Sequence, residues 1–140
     1  MERVEPRSSD ATSKGRTAVI IIIMMLIVLA HVFRVGAYLP DPLFTIYYSY
    51  FSDIVIPLGM YLLLCLNDVF VRIHRDWRVK AFLVFGVASF TEVLQALGVP
   101  LLGQTFDPLD FLMFGAGVLL AVFVDKAILD RIFPRRIQKV

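Results

Sequence analysis

The sequence is poor in cysteine and in charge, and each shortage limits what the protein can be. Cys65 is the only cysteine among 140 residues, so a disulfide within the chain is excluded and no redox compartment can be inferred. Paired CxxC motifs and the ligand spacing of a metal site are both missing, and no metal or other cofactor is predicted. Charged residues make up 19% of the chain and the net charge is +2, too little to indicate nucleic-acid binding.

Apolar residues are in excess, at 59% of the chain, which is more than an ordinary soluble domain contains. Most of them lie in blocks long enough to cross a bilayer as helices. We predict an all-α polytopic membrane protein, a bundle of four transmembrane helices, with spans near residues 17–33, 53–67, 81–97 and 110–128. Residues 1–16 are predicted to form a flexible cytoplasmic arm, residues 17–128 the transmembrane domain, and residues 129–140 a basic cytoplasmic tail.

An aromatic run precedes the second span and contains Phe44, Tyr47, Tyr48, Tyr50 and Phe51. Tyrosine collects at the membrane–water boundary because its ring is apolar and its hydroxyl is polar. We predict a short interfacial segment at this point.

The basic residues indicate the orientation of the bundle. Arg34 is the single Lys or Arg of 14 that falls on one side of a four-span arrangement. The positive-inside rule makes the other side cytoplasmic, with both termini on it. An alternative is a signal peptide cleaved after Val35-Gly36-Ala37. The apolar run is longer than a usual signal-peptide core of about 7–15 residues, and Arg34 lies where cleavage sites disfavour charge.

Glu92 and Gln95 lie within the third predicted span, three residues apart and therefore on one helix face. An ionisable residue inside a span costs about 3 kcal/mol on insertion scales, so it faces the bundle interior and has a partner. Glu92 is either a buried acid of a functional site or a hydrogen-bonded carboxyl that fixes helix packing.

Two aspartates precede the fourth span in the sequence Thr105-Phe106-Asp107-Pro108-Leu109-Asp110. Asp107 fits the N-cap position, Pro108 the first helical position and Asp110 the acidic third position of a helix start. Helix capping alone accounts for both aspartates, although it leaves unexplained why two helices bring acids to the same edge.

These polar residues meet at the outer edge of the predicted bundle. The candidate ligand-binding residues are Arg34, Asp53, Glu92, Gln95, Thr105, Asp107 and Asp110. Arg34 is the only cation among them, so it could pair with one of the carboxylates. The cluster is either a site for a cation or polar headgroup, or an ion-pair network that holds helix ends together. No catalytic residue can be assigned, because a general acid or base requires a defined substrate position.

Two further features have simpler explanations. His31, near the outer end of the first span, is expected to be a hydrogen-bonded packing residue more than a ligand. Gly115, Gly117 and Ala121 form a stripe of small residues in the fourth span, which predicts close helix packing.

The segment from Ser89 to Gly117 resembles the VanZ-like family of small bacterial membrane proteins. The resemblance rests on Glu92-Val93-Leu94-Gln95 at a span end, Gly103-Gln104-Thr105-Phe106 in the loop, and Asp107-Pro108-Leu109-Asp110 opening the last span. Met113-Phe114-Gly115 stands where the family usually has an Asn before a Gly. The resemblance implies a bacterial cytoplasmic-membrane protein, related to proteins associated with lowered sensitivity to teicoplanin-type glycopeptides.

Three classes of function remain open on the sequence. The first is an envelope protein whose outer polar cluster binds a lipid headgroup, a lipid-linked glycan or an amphiphilic glycopeptide. The second is a small accessory subunit of a larger membrane complex, and the third is a membrane enzyme that uses the carboxylates on a lipid-linked substrate. In each class the lipid bilayer is a partner.

Overall fold

The computed structural model describes residues 7–66, 76–99 and 107–134, and within these ranges the chain is helical and contains no strand. The main helices are α1 (Arg7–Val32), α2 (Leu43–Leu66), α3 (Trp77–Ala96) and α4 (Pro108–Phe123). A short 3₁₀ helix, Val35–Tyr38, follows α1. After α4 the chain continues through a π-helical segment, Val124–Leu129, into the single turn α5 (Asp130–Ile132).

Four helical stretches of the described chain are long and apolar enough to cross a membrane, as predicted. They are Thr12–Val32, Leu43–Leu66, Trp77–Ala96 and Pro108–Ile132. At a rise of about 1.5 Å per residue, a 20-residue helix is about 30 Å long, which matches the hydrocarbon core of a bilayer. The chain therefore has the architecture of a multi-pass membrane protein.

The helices extend beyond the predicted spans. α1 begins at Arg7, so residues 7–16 are helical where a flexible arm was predicted. α2 begins at Leu43, and the aromatic run is its first part instead of a separate interfacial segment. Hydropathy marks only the apolar stretch of a helix. Backbone hydrogen bonding continues past that stretch, because the polar residues on either side are also compatible with a helix.

Two aspartates determine where α3 and α4 begin. The side chain of Asp76 accepts a hydrogen bond of 2.9 Å from the backbone N–H of Arg78, so α3 starts at Trp77, earlier than predicted. The side chain of Asp107 accepts one of 2.9 Å from the backbone N–H of Leu109. Pro108 is in the first turn of α4 and Asp110 is its acidic residue, so the predicted capping is confirmed.

The core lies where α2, α3 and α4 meet. Gly117 of α4 packs directly on α2, since a Cβ atom at this position would overlap the backbone carbonyl of Ile54. This contact confirms the prediction of close packing at Gly117, whereas a Cβ atom at Gly115 would make only ordinary contact with the ring of Phe85, at 3.8 Å. Tyr61, Leu62 and Ala121 are fully buried in the core. α1 buries fewer of its side chains, although Ile20 belongs to the same core.

Candidate functional site

The end of the bundle where α1 and α3 finish and α2 and α4 begin carries Asp53, Glu92, Asp107 and Asp110, and we call it the acidic end. Thr105, also predicted to belong to this site, lies outside the described residues. The other predicted members are described below in turn.

Glu92 connects the end of α3 to the start of α4. Its side chain is only 1% exposed, and its Oε1 atom accepts a hydrogen bond of 2.8 Å from the backbone N–H of Asp107. In a capping box, an acid within the same helix accepts the bond from the N-cap N–H. Here an acid on the neighbouring helix takes that role. The buried carboxyl is thus satisfied, and it fixes the position of the N-cap residue of α4.

Asp53 and Asp110 differ from this pair, because neither side chain forms a hydrogen bond or ion pair with another part of the described chain. Both are partly buried. Asp53 is within electrostatic range of Glu92 and Asp107, and Asp110 interacts with all three of the other carboxyls. Acids from three helices therefore converge at the acidic end. Glu92 and Asp107 stabilise the start of α4 through their hydrogen bonds, whereas the carboxyl groups of Asp53 and Asp110 are available to another partner.

The convergence does not amount to a chelate in the described ranges, where no three His, Cys, Asp or Glu side chains are arranged to hold a metal ion. Like charges at short range repel one another and favour either protonation or a neutralising cation. An ammonium group, or hydroxyl groups that donate hydrogen bonds, would suit Asp53 and Asp110 chemically.

Gln95 and Arg34 do not join this cluster through contacts in the described part of the chain. The backbone carbonyl of Gln95 accepts a hydrogen bond from Gly98, and its side-chain amide forms none with a described residue. Arg34 could have paired with a carboxylate, but it forms no such pair within the described residues. It is exposed and lines a cleft between α1 and α2, because it lies two residues after the end of α1, which packs against α2.

Ser89 lies one turn before Glu92 on the same face of α3. Its hydroxyl is buried and has no hydrogen-bond partner among the described residues. A buried hydroxyl without a partner is uncommon. The Ser89 hydroxyl is therefore a polar group near the acidic end that is able to form a further hydrogen bond.

The opposite end of the bundle contains a buried network that sequence reasoning missed. At its centre is Asp125 of the π-helical segment, which is 0% exposed. One carboxylate oxygen pairs with the guanidinium of Arg16, and the other accepts a hydrogen bond of 3.0 Å from the Tyr61 hydroxyl. The ammonium nitrogen of Lys80 lies 4.0 Å from that second oxygen. All four membrane-length helical stretches contribute to these contacts.

Lys80 has further contacts in this network. Its Nζ atom donates a hydrogen bond of 3.2 Å to the Cys65 sulfur and lies 5.4 Å from the centre of the Tyr61 ring. Sequence reasoning assigned Lys80 to the loop before the third span, whereas it lies in the first turns of α3 and is 0% exposed. Burial of a lysine is tolerated where opposite charge, an acceptor and an aromatic face surround it.

The outer part of the network is more accessible. Arg16 also donates to Asp130 at 2.7 Å, and Lys126 pairs with the same carboxylate at 2.9 Å. Arg16 was assigned to the predicted arm, but its side chain is buried at this point. The signal that could have identified the network is Asp125, an acid inside the predicted fourth span, since ionisable residues within spans usually have partners.

Comparison of this chain with models of known protein families, with curated proteins and with solved structures found no match.

Proposed function

We propose that this chain is a VanZ-like protein of the bacterial cytoplasmic membrane whose acidic end binds the cationic or hydroxyl-rich part of an amphiphile. A lipid headgroup, a lipid-linked glycan and a glycopeptide of the teicoplanin type belong to this chemical class. The proposal rests on one observation, which is that Asp53, Glu92, Asp107 and Asp110 converge at one end of an otherwise apolar bundle.

The orientation is part of the proposal. All but one of the 14 Lys and Arg residues lie on the side of the four spans that also holds both termini, and the positive-inside rule favours that side as cytoplasmic. The acidic end then faces the outside of the cell, where envelope lipids, lipid-linked glycans and glycopeptide drugs are found.

The four carboxyls differ in their hydrogen bonding, and this difference supports binding at Asp53 and Asp110. Glu92 and Asp107 are committed to the start of α4 through the hydrogen bonds described above. Asp53 and Asp110 have no such partner in the described chain, so a ligand can reach them without breaking an internal bond. An ammonium group beside them would relieve the repulsion among the acids, which gives affinity for cationic amphiphiles a physical source.

Sensitivity to teicoplanin tests the proposal. The wild-type chain is expressed in a sensitive bacterium beside the double variant Asp53→Asn/Asp110→Asn, which keeps side-chain size and removes the charge. We expect the wild type to raise the inhibitory concentration of teicoplanin and the double variant to lose most of that effect. Asp41→Asn is the matched control, because Asp41 is an exposed acid between α1 and α2 that interacts with neither Asp53 nor Asp110.

Expression level in the membrane is measured for every variant, so that loss of protein is not mistaken for loss of function. Two results would contradict the proposal. One is a wild-type chain that leaves sensitivity unchanged, and the other is a double variant that protects as well as the wild type at equal expression.

A further inference from the structure

A second polar feature lies between α1 and α2, at the same end of the bundle but built from different residues. It is a cleft of about 140 Å³. His31 and Arg34 line it from the α1 side, and Tyr47, Tyr48, Phe51 and Ser52 line it from α2. None of these six is an acid, so the cleft has the opposite charge character to the carboxyl cluster.

Arg34 supplies the charge of the cleft and is held by the chain reversal that follows α1. Its backbone is in the left-handed region, at φ 49° and ψ 49°. Gly36 is buried two residues later, where a Cβ atom would overlap the ring of Tyr47. The packing of Tyr47 on Gly36 therefore fixes the turn that carries Arg34. Within the described chain the guanidinium forms no ion pair, and its side chain is exposed.

His31 and the aromatic rings form the wall of the cleft. The Nδ1 atom of His31 lies 3.0 Å from the backbone carbonyl of Ile27, and its Nε2 atom lies 3.5 Å from the hydroxyl of Ser52. Since a carbonyl only accepts, Nδ1 carries a proton and donates it to that bond. The rings of Tyr47 and Phe51 are stacked with centres 4.2 Å apart, and Phe51 lies 5.2 Å from the His31 ring. The imidazole is thus held in a fixed orientation.

The depth of the cleft matches that of lipid headgroups. It lies where a membrane-length helix ends, and its tyrosines are of the type that collects at the membrane–water boundary. Val28 lies one turn of α1 below His31 and is 56% exposed, so an acyl chain can lie against it. A guanidinium with a planar fork of donors at this depth is suited to a phosphate group.

We propose that this cleft binds the phosphodiester headgroup of an anionic membrane lipid, with Arg34 as the phosphate-binding residue and the aromatic wall shaping the site. The chemistry would also fit free phosphate. The exposed apolar surface of α1 directly below the cleft favours the lipid, because free phosphate makes no use of it. The inference is independent of the acidic end, since the two sites share no residue.

Native mass spectrometry of the full chain in detergent micelles tests the proposal, with dioleoylphosphatidylglycerol as the probe. Dioleoylglycerol, which lacks the phosphate, and inorganic phosphate are the comparison ligands. We expect Arg34→Gln to weaken binding of the phospholipid about tenfold, the usual effect of losing one charge-assisted hydrogen bond. Arg131→Gln removes an exposed arginine at the opposite end of the bundle and is expected to leave binding unchanged.

A second measurement uses the wild-type chain and needs no variant. One equivalent of nitroxide-labelled phosphatidylglycerol is expected to broaden the NMR signals of the His31 ring, and unlabelled phosphatidylglycerol is expected to restore them. The proposal is overturned if the His31 signals do not broaden, or if Arg34→Gln and the wild type bind the phospholipid equally. It is also overturned if dioleoylglycerol binds as well as the phospholipid, or if millimolar inorganic phosphate displaces the lipid.

Discussion

At the scale of single residues, the buried charges of this chain fall into two groups with different surroundings. Glu92 has a backbone N–H as its partner, so its burial is compensated by one hydrogen bond of 2.8 Å. Asp125 has the cations Arg16 and Lys80 and the hydroxyl of Tyr61 around it. Burial of a charge costs several kcal/mol unless such partners are present. The network around Asp125 is therefore needed to compensate the burial of these charges, and it adds little stability beyond that compensation.

The first prediction concerns Asp125. Asp125→Asn removes the negative charge that faces Arg16 and Lys80, and we expect it to lower the free energy of unfolding by about 3 kcal/mol, because the buried Lys80 loses its nearby carboxylate and Arg16 keeps the more exposed Asp130 as its partner. Thermal unfolding in detergent measures the change. Asp130→Asn is the matched control: Asp130 also pairs with Arg16, but its side chain is 26% exposed, and a loss of at most about 1 kcal/mol is expected. Equal stability of the two variants would contradict the role assigned to Asp125.

At the scale of helices, the contact between α2 and α4 is the most extensive among the described helices. Between helices already surrounded by lipid there is no hydrophobic driving force, so association depends on tight packing. Gly117 allows that packing because the carbonyl of Ile54 occupies the space of a Cβ atom. Asp53 lies next to Ile54 in α2, so the same contact also brings Asp53 toward the start of α4.

The second prediction follows from this contact. Gly117→Ala forces α2 and α4 apart, and we expect a loss of about 1–3 kcal/mol in the free energy of unfolding, the usual cost of overpacking. Gly86→Ala is the matched control, since a Cβ atom at Gly86 of α3 meets nothing within 4 Å. It is expected to be neutral or to stabilise α3 by up to about 1 kcal/mol, because alanine is the better helix former. If both variants unfold at the same temperature, α2 and α4 do not pack as described.

The π-helical segment Val124–Leu129 is the irregular element of the bundle. Such segments usually occur as single turns inside α-helices, often at functional positions. Here it carries Asp125 and is followed by Asp130, and both carboxylates pair with Arg16 of α1. Lys126 of the segment pairs with Asp130 within the same span. A hydropathy profile contains no information on this change of helical pitch.

At the scale of the whole molecule, the two ends of the bundle differ in charge, although the basic end also holds Asp125 and Asp130 and the acidic end also holds Arg34. Asp53, Glu92, Asp107 and Asp110 are at one end, and Arg16, Lys80 and Lys126 are at the other. The intervening apolar length matches a bilayer, so the separation corresponds to two membrane faces. The proposal that the acidic end is outside depends on this asymmetry.

The third prediction tests orientation with single cysteines in a Cys65→Ser background. Asp41→Cys introduces a thiol at the acidic end, and Ser13→Cys introduces one at the opposite end, both at exposed positions. With a membrane-impermeant maleimide on intact cells, we expect labelling of the first variant only. The second variant is expected to react after permeabilisation. Labelling of Ser13→Cys in intact cells would reverse the orientation and place the acidic end inside.

Much of the fold could be predicted from the sequence, because its main determinants are local. Apolar runs of membrane length, the small residues of the fourth span and the Asp107-Pro108 helix start are all visible in the printed letters. Helix capping depends on neighbouring residues, so the role of Asp107 was predicted correctly. The ends of the helices were less accurate. Lys80, for example, lies in α3 because Asp76 caps that helix. The predicted span begins only at residue 81, because the charge of Lys80 is more typical of a loop.

For the candidate site, too, the sequence predicts the local features and the tertiary structure decides the contacts between helices. The sequence alone established that the chain has four membrane-length helices and that Glu92 is an ionisable residue needing a partner. Only the tertiary structure decided which partner it has, and that Arg34 lines a separate cleft instead of pairing with the acids. It also decided that Arg16 and Asp125, 109 positions apart, meet in the interior. The physical reason is that hydropathy and capping act between near neighbours, whereas ion pairing depends on which helix faces are packed together.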